Sequence, residues 1–361
     1  MAAPAERSVL TEAARDRGRA ADVLAAGALG GCAAWALISA AAGGGRPEGV
    51  LLAVLAVASG YVCGRICGSL VPVATATAMA LVGLAGAVAS SQGAFGAAVT
   101  VATPPGDAGA VTALLVLAAG AACCAASAAR RPRTRSALWV LALVIAGVAI
   151  LLGSVVGFLA TLGVLLCSLA AARTRRRAVA LAGFALLTAV VVGTGWAVAE
   201  QALPEGLSAS LEGQLTQHRV RLWQDAAALA KEHPLLGVGP DRFGDLSAAA
   251  AQSPVNDGKP HSAPLQQAAE QGAVGVALLG AVYGGLLFAL GRSRCSTPVV
   301  LTAGAALTAL AALASVGNAL SFTSVTAGAG LLAGLATARP AVAPPPAAPA
   351  VWQDTVGPTR A

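Results

Sequence analysis

The stretch HSAPLQQAAEQGAVGVALLGAVYGGLLFAL, residues 261–290, decides the fold class. It begins with His261-Ser262, nine residues before Gly272-Ala273-Val274-Gly275. From Gly272 to Leu290 the chain is an apolar run. A run of that length crosses the roughly 30 Å hydrocarbon core of a bilayer as a helix. A long polar segment therefore re-enters the membrane here, with a histidine beside the membrane surface.

Outward from this junction the same pattern recurs. Apolar runs lie near residues 22–43, 49–64, 68–89, 108–128, 137–153, 155–172, 178–199, 298–316 and 321–338. With 272–290 they predict about ten transmembrane helices in an all-α polytopic membrane protein. The chain of 361 residues is 57% hydrophobic and only 11% charged, against about 25% charged in soluble domains. Abundant Ala and Gly let such helices approach closely. The run at 22–43 is too long for a signal-peptide core and reads as a retained first helix. Gly153, Ser154 and Gly157 mark a tight turn between two shorter spans.

Arginine placement orients the spans. Arg130, Arg131, Arg133 and Arg135 form one cluster; Arg173, Arg175, Arg176 and Arg177 a second; Arg292 and Arg294 a third. With ten spans all three fall on the side of the N-terminus, which the positive-inside rule makes cytoplasmic. The expected organisation is a cytoplasmic segment 1–21, seven helices in 22–199, a large extracytoplasmic loop 200–271, three helices in 272–338 and a disordered Pro/Ala-rich cytoplasmic tail 339–361. Ser208 and Ser253 are then outside and Ser293 inside. Trp139 and Trp196 sit near span ends, where interfacial tryptophans concentrate. The net charge of +7 is accounted for by the short basic loops, and no nucleic-acid-binding motif accompanies it. Of the seven cysteines none lies in the polar loop, so no disulfide framework is expected there. Cys63 and Cys67 have no further metal-type ligands near them in sequence.

Residues 219–232 read as a helix, with Arg219, Val220, Trp223, Ala226, Ala227 and Ala230 able to share a face. Pro234 stops it, and Gly237 and Gly239 turn the chain. Arg219 and Arg221 open the helix. Two cations at the positive end of a helix dipole call for an anion, and a phosphate can use guanidinium forks and free amides together. The alternative is a solvated pair with Arg221 reaching Asp225. Three histidines are present: His218, His233 and His261. A neutral imidazole takes a proton from a hydroxyl near neutral pH. His261 has the surroundings for that role; His218 and His233 read as solvent-exposed.

These residues resemble the O-antigen ligase and polymerase family of bacterial membrane proteins. The likeness rests on Arg219, three residues, Trp223; on His233-Pro234-Leu235-Leu236-Gly237-Val238-Gly239-Pro240 with Phe243; and on His261-Ser262 spaced nine residues from Gly272. A large outer loop in the second half of the chain matches as architecture. The resemblance implies a GT-C-like fold and transfer of a glycan from an undecaprenyl-pyrophosphate carrier to an acceptor hydroxyl, without a metal, nucleotide sugar or other cofactor. His261 would be the catalytic base. Arg219 would hold the donor pyrophosphate, with Arg221 as an auxiliary. The acceptor would be a glycan, lipid or protein, and the localisation a multi-pass cell membrane. Two departures stand out: the turn Gly153–Gly157 lacks the arginine that relatives often carry, and Pro104–Gly109 lacks their Arg and Asn residues. The competing readings are protein O-oligosaccharyl transfer, a transporter of lipid-linked glycan, and a non-catalytic homologue.

Overall fold

The computed structural model describes residues 4–91, 107–174, 176–202, 216–252 and 258–339, with residues 4–22 and 107 as backbone only. Among these every regular element is helical. In chain order they are α1 (Pro4–Gly43), α2 (Glu48–Leu70), α3 (Pro72–Ser91), α4 (Asp107–Ala128), α5 (Pro132–Leu151), α6 (Val155–Ala171), α7 (Arg177–Ala199), α8 (Gln217–Glu232), α9 (Phe243–Leu246), α10 (Ala248–Ala251), α11 (Ala263–Arg292), α12 (Thr297–Ser315) and α13 (Thr323–Thr337). A 3₁₀ turn, Ala319–Ser321, precedes α13.

Each expected apolar run is helical, but among the described residues eight helices, not ten, are long and apolar enough to cross a membrane. The shorter two are α6 with 17 residues and α13 with 15. Three boundaries also differ from the sequence expectation. α1 runs back through the polar segment to Pro4. α2 continues past Gly64 and Arg65 to Leu70, because the stop is Pro72, which opens α3 and disfavours helix in the residue before it. α11 begins at Ala263, ahead of the apolar run, since Ser262 and Pro264 are helix-start residues and 265–271 are good helix formers. The expected tail, and Ser208 and Ser253, lie outside the described residues.

α4 is the central helix: 83% of its apolar stretch is buried, against 11% for α2 and α7, which leave most of their surface to lipid. Around it pack α3, α5, α6, α12 and α13. α2 and α13 run side by side in the same direction along a seam of glycines. A Cβ added at Gly60 or Gly64 would overlap the Ala327 or Leu331 carbonyl, and one at Gly330 or Gly334 that of Val57 or Tyr61. Van der Waals packing drives helix association in lipid, so this close approach stabilises the pair. Hydroxyls tie other helices across the core: Thr302 Oγ1 donates to Ser168 Oγ at 2.8 Å, and Thr188 Oγ1 to Tyr283 Oη at 2.8 Å.

The two ends of the bundle differ. At one end Arg177 opens α7 and donates to the Gly291 and Ser293 carbonyls at 2.7 Å and to the Leu290 and Cys295 carbonyls, closing the C-terminus of α11. The arginines of the α4–α5, α6–α7 and α11–α12 turns belong to this end. The opposite end carries the α1–α2 turn, the α5–α6 turn, α8–α10 and the loop into α11. The expected tight turn is there: Gly153 has φ +72°, and Ser154 caps α6 by accepting from the Gly157 N–H at 3.0 Å.

Candidate functional site

α11 consists of two half-helices. Gly272 takes φ 67°, ψ −165°, a conformation open to glycine and strained for other residues. Such a break leaves the carbonyls of the preceding turn without helical donors. The loop after α8 supplies them. The Val238 and Gly239 N–H groups donate to the Ala269 and Glu270 carbonyls, both at 2.9 Å. From α1, Ser39 Oγ donates to the Glu270 carbonyl at 3.1 Å and Trp35 Nε1 to that of Gln271 at 2.9 Å. In return the Ala273 N–H donates to the Pro234 carbonyl at 2.8 Å. A Cβ at Gly237 would collide with the Glu270–Gln271 backbone, and one at Gly272 with the Leu235 carbonyl. Residues 233–240 therefore plug a broken helix, and their glycines are needed for backbone contact.

The same plug draws in the α1–α2 turn. The Arg46 N–H donates to the Pro240 carbonyl at 2.8 Å, and Arg242 Nη1 to the Gly43 carbonyl at 2.9 Å. Behind it lies Glu270, whose residue is 2% exposed. Gln266 Nε2 donates to its carboxylate at 3.3 Å, as does the Asp241 backbone N–H, and the charges of Lys259 and Asp241 face it.

His261 stands at the mouth of the first half-helix. It is half-buried and has φ +53°. Left-handed backbone outside glycine is uncommon and clusters at functional sites. Its loop is held from α8: Trp223, 1% exposed, donates Nε1–H to the Pro260 carbonyl at 2.9 Å. Trp223 shares a small outer core with Leu222, Ala226, Phe243, Leu265 and Ala269. The expected helix over 219–232 is thus present, with Leu222 added to the face read from sequence. The far end of α8 is pinned to α7, where Glu200 accepts from Lys231 at 3.1 Å and from Trp196 Nε1 at 3.0 Å. These two donors hold the Glu200 carboxyl below its ordinary pKa range.

Arg219 lies four residues before Trp223, on the same face and one turn nearer the start of α8. It is half-buried, and burial pushes its pKa down from the ordinary arginine value. Among the described residues its guanidinium has no hydrogen-bond or ion-pair partner. Arg221 is exposed and, two residues on, lies on the other side of the helix. The alternative in which Arg221 reaches Asp225 is not what forms. Asp225 accepts from Ser247 Oγ at 2.6 Å and the Ala249 N–H at 3.0 Å, anchoring α10. The N–H of Arg219 is itself bound to the Thr216 carbonyl at 2.9 Å. The amides at the start of α8 therefore belong to Gln217 and His218. His218 and His233 are exposed, and His233 is the C-cap of α8.

Sequence reading missed Glu270, Arg46, Asp241, Arg242 and Asp245. Two of them carried a signal. Glu270 is the one acid between Asp257 and Asp354, and Arg46 sits between the first two apolar runs, away from the basic loops. Among the described residues no cluster of three or more His, Cys, Asp or Glu has metal-binding geometry.

A family model described as O-antigen ligase matches residues 107–280, from α4 through the Gly272 break of α11. The match supports an O-antigen ligase-like family. No curated protein matches the chain. The matched residues include Arg219, the plug and His261. The match suggests a membrane ligase or polymerase. The turn at Gly153–Gly157 holds Ser154 and its partner Thr112, 3.0 Å apart.

Proposed function

We propose that this protein is a membrane glycosyltransferase of the ligase or polymerase type. It moves a glycan from an undecaprenyl-pyrophosphate carrier to an acceptor hydroxyl of a glycan, lipid or protein. In this reading all ten apolar helices cross the membrane, with α6 and α13 as short spans, both termini cytoplasmic and the His261 end extracytoplasmic. The observation that carries the reading is Arg219. A half-buried guanidinium without an acid among the described residues, on a helix fastened to the His261 loop, suits an anionic ligand. Desolvation strengthens the charge-assisted bonds that such a ligand forms.

The reaction then runs as follows. Arg219 holds the donor pyrophosphate, with Arg221 adding exposed positive charge. The acceptor hydroxyl transfers its proton to the neutral His261 imidazole as its oxygen bonds to the anomeric carbon. The bond from that carbon to the phosphate oxygen breaks, and the pyrophosphate leaves on its polyprenyl carrier. The buried first half-helix of α11 keeps His261 in place through the reaction.

The test is transfer from a purified undecaprenyl-pyrophosphate glycan by the protein in detergent, with chelator present. Transfer there supports the donor assignment and metal independence together. Equal transfer by His261→Ala refutes the base, and absence of transfer to every acceptor class refutes the enzyme. The orientation is tested in a variant with the native cysteines replaced. Ala248→Cys in intact cells should react with an impermeant thiol reagent and Ser136→Cys should not; the reverse pattern overturns the topology.

A further inference from the structure

The α1–α2 turn and the segment after the plug enclose a polar cleft of about 320 Å³. Arg46, Asp241, Arg242 and Asp245 line it, over a floor that includes Gly244 and Gly258. Among the described residues no aromatic or aliphatic side chain contributes to the lining. The volume lies at the low end of the roughly 300–1,000 Å³ typical of small-ligand pockets.

We infer that this cleft is a subsite for a neutral sugar unit, whose neighbouring hydroxyls bridge the Asp241 and Asp245 carboxylates to the Arg46 and Arg242 guanidiniums. Among the described residues the lining has two acceptor-only carboxylates and two donor-only guanidiniums, whose formal charges cancel. A hydroxyl is donor and acceptor at once. A row of hydroxyls can therefore donate to the carboxylates and accept from the guanidiniums. A phosphate has acceptor oxygens alone and meets two carboxylates; a cation meets two arginines. The sugar matches both halves.

The walls are fixed in a way that favours binding. Arg242 is anchored through Nη1 to the Gly43 carbonyl at 2.9 Å, and its Nε lies 3.6 Å from Asp245 Oδ2. That Nε is buried and has no hydrogen-bond partner among the described residues. Asp241 takes φ +62°, a region that Asp tolerates better than most residues. Its backbone N–H is bound to the buried Glu270, which sets its position. At Gly244 an added Cβ would come within 2.8 Å of the Gly258 Cα, so the two glycines pack backbone to backbone and fix the floor.

The cleft adjoins the site already described. Gly258 leads through Lys259 and Pro260 to His261. A sugar held here is part of the glycan on which His261 acts; that link rests on the proposed function, whereas binding in the cleft does not.

The experiment uses the full-length chain in lipid nanodiscs on an array of immobilised oligosaccharides. One set is neutral, built from glucose, galactose, mannose, rhamnose and N-acetylhexosamines; a second carries uronic acids or phosphates. Wild type should retain at least one neutral oligosaccharide. Asp241→Asn with Asp245→Asn should weaken it about tenfold or more, the usual scale for hydrogen bonds to charged groups. Asn also tolerates the backbone at 241. Arg46→Gln, on an exposed turn, should weaken it by a similar factor, and thermal melting of each variant checks folding. His261→Ala should bind as wild type does. Retention of no neutral oligosaccharide by wild type overturns the inference, as does undiminished binding by the double variant. Preference for the anionic set, strengthened by the Asp→Asn changes, overturns it in favour of an anion site. Intact binding with absent transfer defeats the proposed chemistry and leaves the sugar subsite standing.

Discussion

Arg177 and Arg219 are both half-buried arginines, one at each end of the bundle, and their surroundings are opposite. Arg177 donates to four backbone carbonyls at the turn between α11 and α12. Arg219 faces no partner among the described residues. A guanidinium engaged with several carbonyls fastens a structure. One that is partly desolvated and unengaged is stabilised only when an anion arrives. Residue type and burial do not separate the two roles; the presence of acceptors does.

The largest expected effect is at the proposed base, which lies at the end of the bundle opposite Arg177. His261→Ala should cut transfer by about 10²–10⁴, the usual cost of losing a general base, while membrane insertion and melting stay near wild type. Retained transfer would leave the outer end with an anion site and no catalyst. Next comes Arg219→Ala. It should lower donor use by roughly 10–100-fold, as loss of charged hydrogen bonds predicts, without a matching loss of melting temperature. Arg219→Lys should recover part of this, because an ammonium lacks the bidentate fork. A variant that melts early and transfers normally per folded molecule would make Arg219 a second Arg177.

Arg177→Ala should show the converse. Its carbonyl partners lose their donor, at about 1–3 kcal/mol for unsatisfied groups. The readout is a lower melting temperature in detergent with transfer per folded molecule preserved. Selective loss of transfer would break the comparison. The smallest effects belong to His218→Ala and His233→Ala, both exposed, where stability should change by no more than about 0.5 kcal/mol and transfer should hardly change. A large effect of His233→Ala on transfer would move the proposed base from His261.

The candidate site was legible in part. His261, Arg219 and Trp223 stand out in sequence because their spacing fits a helix and a loop that re-enters the membrane. The role of Gly237 and Gly239 did not: they read as turn residues, and their main partners are the Ala269–Gln271 backbone on another helix. Arg221 looked equivalent to Arg219 in sequence, yet helix geometry sends the two to different sides of α8.

The sequence by itself determined the apolar helices, their order and the asymmetry of basic turns, because span length and charge are counted along a contiguous stretch. It also determined α8 and the Gly153 turn, whose signals lie within a few residues. Only the tertiary structure decided that α11 breaks at Gly272 and is plugged by residues 233–240. It alone gathered Arg46 and Arg242 around one cleft and left Arg219 without an acid among the described residues. Those outcomes depend on hydrogen bonds between residues far apart in the chain, such as Ser39 with Leu236 and Trp35 with Gln271. Periodicity carries no information about which distant carbonyl meets which donor; that follows from the close approach of whole helices.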